Sequence, residues 1–187
     1  MLRPLNQSDL EWVRKERNRP ECRMWFRQAT LITPLQQQKW YDNNDMITFI
    51  VLDDDGDRVG VVSLSHIDNI ARKCEFSIMI TPEVRGKGYG KKALWELLGH
   101  AFNDLNMEQV YSDVFSHNPS LEHYVNWGFQ IYGVLPNWYY KDGKYIHSTV
   151  ISITKDEYNN SLKPTVSEQG CKEPRGTFDT AEVGSYQ

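Results

Sequence analysis

Three glycines, Gly86, Gly88 and Gly90, stand between a segment that alternates and a segment with helical periodicity, and this junction limits the folds open to the chain. On its N-terminal side, residues 73–80 have the period of a strand, with Cys74, Phe76, Ile78 and Ile80 on one face and Glu75, Ser77 and Met79 on the other. On its C-terminal side, Ala93, Leu94, Leu97, Leu98, Ala101, Phe102 and Leu105 form a stripe that predicts a helix over 88–105. Glycine exposes backbone N–H groups without a Cβ, and a helix N-terminus adds free N–H groups and the positive end of its dipole. The bend Arg85-Gly86-Lys87-Gly88-Tyr89-Gly90 therefore predicts an anion site suited to a diphosphate, with Arg85, Lys87 and Lys91 adding charge.

The flanking segments extend the pattern. Leu2–Leu5 reads as a short strand, and Ser8 with Glu11 reads as a capping box opening a helix to about Asn18. Thr33-Pro34-Leu35-Gln36 reads as a second capping box, opening a helix to about Tyr41. Residues 48–52, 59–67 and 73–80 form an antiparallel meander, with an Asp-Gly turn at Asp55-Gly56. Residues 109–115 form another strand, Asn118-Pro119 opens a short helix ended by Gly128, and strands over 129–135 and 145–153 join through Asp142-Gly143.

At 187 residues the chain predicts one domain, over 1–155. The character changes after about Thr154, and residues 159–187 have few large apolar groups and many turn formers, which predicts a flexible or loosely docked tail over 156–187. No apolar run spans a membrane and no apolar h-region follows Met1, so a cytoplasmic protein is expected. Cys22, Cys74 and Cys171 lack the spacing of a disulfide framework or a metal site. The net charge of −4 argues against general nucleic-acid binding, but residues 1–40 hold eight Lys/Arg against four Asp/Glu.

Other phosphate binders share the logic of a glycine bend. A P-loop fails, because Lys91-Lys92 precedes Ala93 rather than Ser or Thr. The dinucleotide pattern matches Gly88-Tyr89-Gly90-Lys91-Lys92-Ala93, but five residues separate Ile80 from Gly86 and no further βα units follow. The stretch Arg85-Gly86-Lys87-Gly88-Tyr89-Gly90 instead resembles the Arg-x-x-Gly-x-Gly bend with which GCN5-related N-acetyltransferases (GNAT) hold the coenzyme A pyrophosphate. Asn118-Pro119-Ser120, Tyr124 and Gly128-Phe129 resemble that family's second signature in order and spacing. The resemblance covers residues 2–153. It implies an α+β fold, a mixed, mostly antiparallel sheet of six to seven strands flanked by about four helices. It also implies acetyl-CoA as cosubstrate and a primary amine as acceptor.

The family's direct transfer sets three tasks. An amine of pKa near 10.4 must lose its proton, at a cost of about 4.6 kcal/mol at pH 7. Glu75 is the candidate base, with a salt bridge to Arg72 or Lys73 as its structural alternative; His66 is a second candidate that equally suits a structural role. Backbone near Ile78, Met79 and Ile80 is expected to stabilise the oxyanion and pair with the pantetheine arm. Tyr124 matches the family position of the acid that protonates the thiolate, although it also shares a face with Leu121 and Val125. Asn118 is expected to reach the pantetheine arm and cap its helix.

The segment from Trp12 through Arg17-Asn18 and Trp25 to Tyr41 resembles the GNAT branch that acetylates nucleotide-linked amino sugars. Aromatic rings stack on bases and Arg forks pair with phosphates, so Trp12, Arg17, Asn18, Trp25 and His66 are the expected acceptor residues. The acceptor is thus expected to be a nucleotide sugar or related anionic amine. A protein N-terminus or lysine, a small amine, and a non-catalytic acetyl-CoA-binding module stand as alternatives. Charge and hydropathy predict neither nucleic-acid nor membrane partners, and a homodimer is left open.

Overall fold

The computed structural model describes residues 1–28, 30–43 and 45–161. Its centre is a seven-stranded sheet in the order β1-β2-β3-β4-β5-β7-β6. The strands are β1 (Leu2–Pro4), β2 (Ile47–Leu52), β3 (Arg58–Asp68), β4 (Lys73–Ile80), β5 (Gln109–Phe115), β6 (Gln130–Lys141) and β7 (Lys144–Thr154). The helices are α1 (Leu10–Asn18), α2 (Pro20–Arg23), α3 (Pro34–Asn43), α4 (Tyr89–Gly99), α5 (Ser120–Asn126) and α6 (Lys155–Ser161). The α+β class and the mixed sheet are as expected; six helices among the described residues replace the expected four, the additions being the short α2 and α6.

Local chemistry places most boundaries. Thr33 and Gln36 bond each other's backbone and side chain as a capping box at the start of α3. Asp142 and Gly143 both take positive φ, 51° and 80°, which matches a two-residue turn to the right-handed twist of β6 and β7. The first capping box is displaced from expectation: Asn6 and Asp9 form it, because Asp9 is drawn into ion pairs with Arg3 and Arg58. A 3₁₀ turn over Gln7–Asp9 then leads into α1. The helix expected over 88–105 ends as α at Gly99 and continues as a π turn, His100–Asp104.

The apolar stripe of α4, Ala93, Leu94, Leu97 and Leu98, packs on Cys74, Phe76, Val62 and Leu64 of the sheet to form the core. Tyr158 of α6 is buried in the same core. Ordered structure therefore runs past the expected boundary at 155, and the rest of the expected tail, residues 162–187, lies outside the described residues.

One irregularity in the sheet creates the site. β4 and β5 run parallel but pair only at Lys73–Gln109, Cys74–Val110 and Glu75–Tyr111. Beyond this join β4 stays with β3 as far as Gly60–Ile80, and β5 stays with β7 as far as Phe115–Ser148. The two half-sheets diverge, and a wedge opens between the later residues of β4 and β5.

Candidate active site

A cleft of about 1200 Å³ fills this wedge. Its walls bring together most of the residues picked out in the sequence: Glu75, Ile78, Met79 and Ile80 from β4, Arg85, Gly86, Gly88, Gly90 and Lys91 from the bend and α4, and Asn118 and Tyr124 from α5 and its approach. Arg17, Trp25 and His66 also line it. Trp12 and Asn18 do not. Trp12 lies under the Arg58 guanidinium at 5.3 Å, and Asn18 clamps the backbone of Ile32 through two 2.8 Å hydrogen bonds.

At one end, Gly86 and Gly88 take φ of 80° and 89°, the left-handed region that favours glycine. Gly88 is the N-cap of α4, so the free N–H groups of its first turn face this end of the cleft. Arg85 is committed to protein partners. Its Nε donates to the Ile80 carbonyl at 3.1 Å, and one terminal nitrogen reaches the Glu21 carbonyl and Cys22 Sγ. It staples the bend to β4 and α2. The Lys91 ammonium lies over the Trp95 ring at 5.7 Å, and Tyr89 packs against the core.

On the opposite wall, the Tyr124 ring packs against Phe76, Trp127 and Phe129 at centroid distances of 5.5–5.7 Å. Burial pushes its phenol above the ordinary tyrosine value, so it stays protonated. The residue lines the cleft. Asn118 accepts from the Ser120 N–H at 2.9 Å, which fixes the start of α5.

The narrow end, where β4 and β5 part, is acidic. Glu75 is not paired with Arg72 or Lys73. One carboxylate oxygen accepts from Arg27 at 2.6 Å and the other meets His66 Nδ1 at 2.9 Å. His66 is brought there by an irregularity in β3 between Ser65 and Asp68, where its own φ is 48°. Arg27 also pairs with Asp113, whose carboxylate accepts from Tyr139 Oη at 2.5 Å and Ser148 Oγ at 3.0 Å. The carboxylates of Glu75 and Asp113 are only 12% and 14% exposed. Arg27, Asp113 and Tyr139 were not singled out in the sequence as site residues. The available signal was a charged Asp in the middle of an otherwise strand-forming segment, Tyr111-Ser112-Asp113-Val114-Phe115.

Arg17 presents the reverse situation. Its Nε is buried without a hydrogen-bond partner, its guanidinium lies 5.3 Å from the Phe26 ring centre, and one nitrogen bonds Gln28. Desolvation lowers its pKa below the ordinary value. The two described cysteines lack the character of nucleophiles: burial raises Cys22 and pushes Cys74 up to about 12.

A splayed parallel join, a glycine bend at a helix N-terminus and a protonated tyrosine on the facing wall define a coenzyme A-dependent acyltransferase site, and residues 1–124 match the model of the acetyltransferase (GNAT) domain. The chain belongs to the GNAT family of acetyltransferases. It is an acetyl-CoA-dependent N-acetyltransferase acting on an amine.

It is similar to the spermidine N(1)-acetyltransferase of Escherichia coli, 29% identical with 88% of this chain and 95% of that protein covered. The Vibrio cholerae protein of the same name is 30% identical over 85% of this chain and 95% of its own. A crystal structure of the Vibrio cholerae spermidine N-acetyltransferase with CoA and spermine superposes with a TM-score of 0.80. It is 27% identical and covers 86% of this chain and 98% of that one. These relatives correct the expected amino-sugar branch; of the residues that suggested it, Trp12 packs under Arg58 away from the cleft, while Arg17 and Trp25 line it. No described helix is long and apolar enough to cross a membrane.

Proposed function

We propose that the acceptor is an aliphatic polyamine, acetylated on a primary amine, with Glu75 and Asp113 receiving its positive charge. The observation that carries this reading is the largely buried carboxylate pair at the narrow end of the cleft, beside the last paired residues of β4 and β5. Two carboxylates shielded from solvent require cations nearby, and a polyamine supplies several along an apolar chain. The spermidine acceptors named for the Escherichia coli and Vibrio cholerae relatives support it.

The residues divide the work. Glu75 takes the proton from the attacking ammonium. His66, on the Glu75 carboxylate with its side chain 68% exposed, passes that proton to water. Backbone N–H groups of Ile78–Ile80 not used by β5 face the thioester carbonyl and the pantetheine amides. Tyr124 donates its phenolic proton to the departing thiolate, and the second proton lost by the acylated nitrogen restores the phenol. Asn118 holds the pantetheine arm, while the backbone of Gly86–Gly90, with Lys87 and Lys91, takes the pyrophosphate. Arg85 acts through the shape of the bend. Because burial keeps both described cysteines protonated, the acetyl group passes directly from thioester to amine, without an intermediate on either of them.

Thiol release from acetyl-CoA is to be measured with spermidine, spermine, a nucleotide-linked amino sugar and lysine- or amine-terminated peptides. Turnover of polyamines is expected. Glu75→Gln and Asp113→Asn should each raise the polyamine KM about tenfold or more, the scale of a shielded charge pair. Turnover of the amino sugar or peptides with none of the polyamines would overturn the reading.

A further inference from the structure

Arg27 occupies the place between Glu75 and Asp113 that an acceptor ammonium requires. It comes from the loop between α2 and α3, far from either carboxylate in sequence, and its side chain is 46% exposed while the carboxylates it bridges are nearly covered. Its guanidinium also lies 5.5 Å from the Tyr139 ring centre. A second, shallower cavity of about 310 Å³ lies on the outer side of this bridge, lined by Tyr111, Trp138 and Tyr139. Arg27, Glu75, His66 and Asp113 border both cavities. The bridge is therefore a partition between the coenzyme cleft and an aromatic-walled opening to solvent.

We infer that Arg27 is a displaceable stand-in for the acceptor's cation, and that the acceptor enters through the Tyr111–Trp138–Tyr139 opening by exchanging its own charge for that of Arg27. This rests on the polyamine reading and adds a specificity determinant to it. An amine that carries a second, distal ammonium replaces the ion pair it breaks, and the aromatic walls hold its methylenes and charge. A monoamine breaks the same pair and replaces only part of it. A half-exposed arginine suits this exchange, because its side chain can turn to solvent as another cation takes its place, and neither covered carboxylate is left without one. The loop is anchored independently of the exchange: the Lys141 ammonium donates to the carbonyls of Arg23 and Phe26, so release of the Arg27 side chain leaves its backbone in place.

The test compares 1,4-diaminobutane with n-butylamine, which differ in the distal charge, on the wild-type chain, Arg27→Gln and Arg27→Lys. Arg27→Gln should lower the KM for the diamine about fivefold or more, the scale of one such ion pair, and lower that for the monoamine less. Arg27→Lys, which restores the charge, should return the diamine KM toward wild type. In thermal melts Arg27→Gln, whose two carboxylates have lost the arginine that bridges them, should be stabilised by the diamine more than the wild type is. A raised or unchanged diamine KM with no larger thermal shift would overturn the stand-in role, even if wild-type turnover of spermidine upholds the polyamine reading. If the wild type turns over neither amine, the thermal shift decides alone: a larger diamine shift in Arg27→Gln sustains the inference, and equal shifts end it.

Discussion

At Tyr124 packing and chemistry coincide. Its ring is held edge-on by Phe76, Trp127 and Phe129, so the hydroxyl has little freedom to leave the cleft wall. Burial keeps it protonated, the state an acid needs. Tyr124→Phe keeps the ring and should lower kcat by about 10²–10⁴-fold, with acetyl-CoA affinity changed little; an equal loss of both in steady-state and binding measurements would remove the acid role. Cys74 makes the opposite point, since its buried thiol does only structural work. Its folded pKa is raised from 9.0 to about 12. A raised value means that the unfolded thiol ionises first as pH rises. Its contribution is therefore whole below about pH 9 and is lost progressively toward pH 12, by up to about 4 kcal/mol. Cys74→Ala removes only the sulfur and cannot ionise. Urea melts at pH 8 and pH 10.5 should show a smaller alkaline loss in the variant than in the wild type, and equal losses would contradict the shift.

At the scale of elements, the glycine bend can be dissected because its glycines differ. Gly88 has φ of 89° with open space where a Cβ would stand, so Gly88→Ala pays for backbone conformation alone, about 1–2 kcal/mol. Gly90 lies inside the first turn of α4 without a positive φ, and a Cβ there would meet Ile80 Cγ1 at an ordinary 3.6 Å. Gly90→Ala should therefore leave the melting temperature unchanged or raised, since alanine favours the helix, while weakening acetyl-CoA binding by calorimetry; unchanged binding would show that the coenzyme does not approach this turn closely. Elements built from local chemistry were readable in the sequence: the strand–bend–helix junction, the Thr33 capping box and the Asp142-Gly143 turn. The first cap was misplaced by two residues because Asp9 answers to Arg3 and Arg58, and Arg58 is remote in sequence. The acidic end of the cleft was half readable. Glu75 stood out on its strand, but Arg27 and Asp113 meet it only after a loop and two half-sheets have folded, and no local period records such a meeting.

At the scale of the whole molecule, the sheet is two half-sheets joined by a short parallel ladder at Lys73–Glu75. The wedge beyond it leaves strand-edge groups of β4 and β5 that a pantetheine arm, with its two amides, is shaped to bridge. A coenzyme bound in this way would act as a partial strand, and its binding should be read out in backbone protection as well as in stability. At 100 times its dissociation constant a ligand of the folded state adds about 2.7 kcal/mol, which spread evenly would slow exchange throughout the core. Bridging predicts a pattern on top of that shift. With CoA bound, amide hydrogen exchange should slow most at residues 76–80 of β4 and 112–115 of β5. The β1–β2 pair, Leu2–Pro4 with Phe49–Val51, should slow no more than the global stabilisation requires, because it lies at the far edge of the sheet. The contrast tests the wedge itself, since uniform slowing would mean that the coenzyme stabilises the fold without joining its halves.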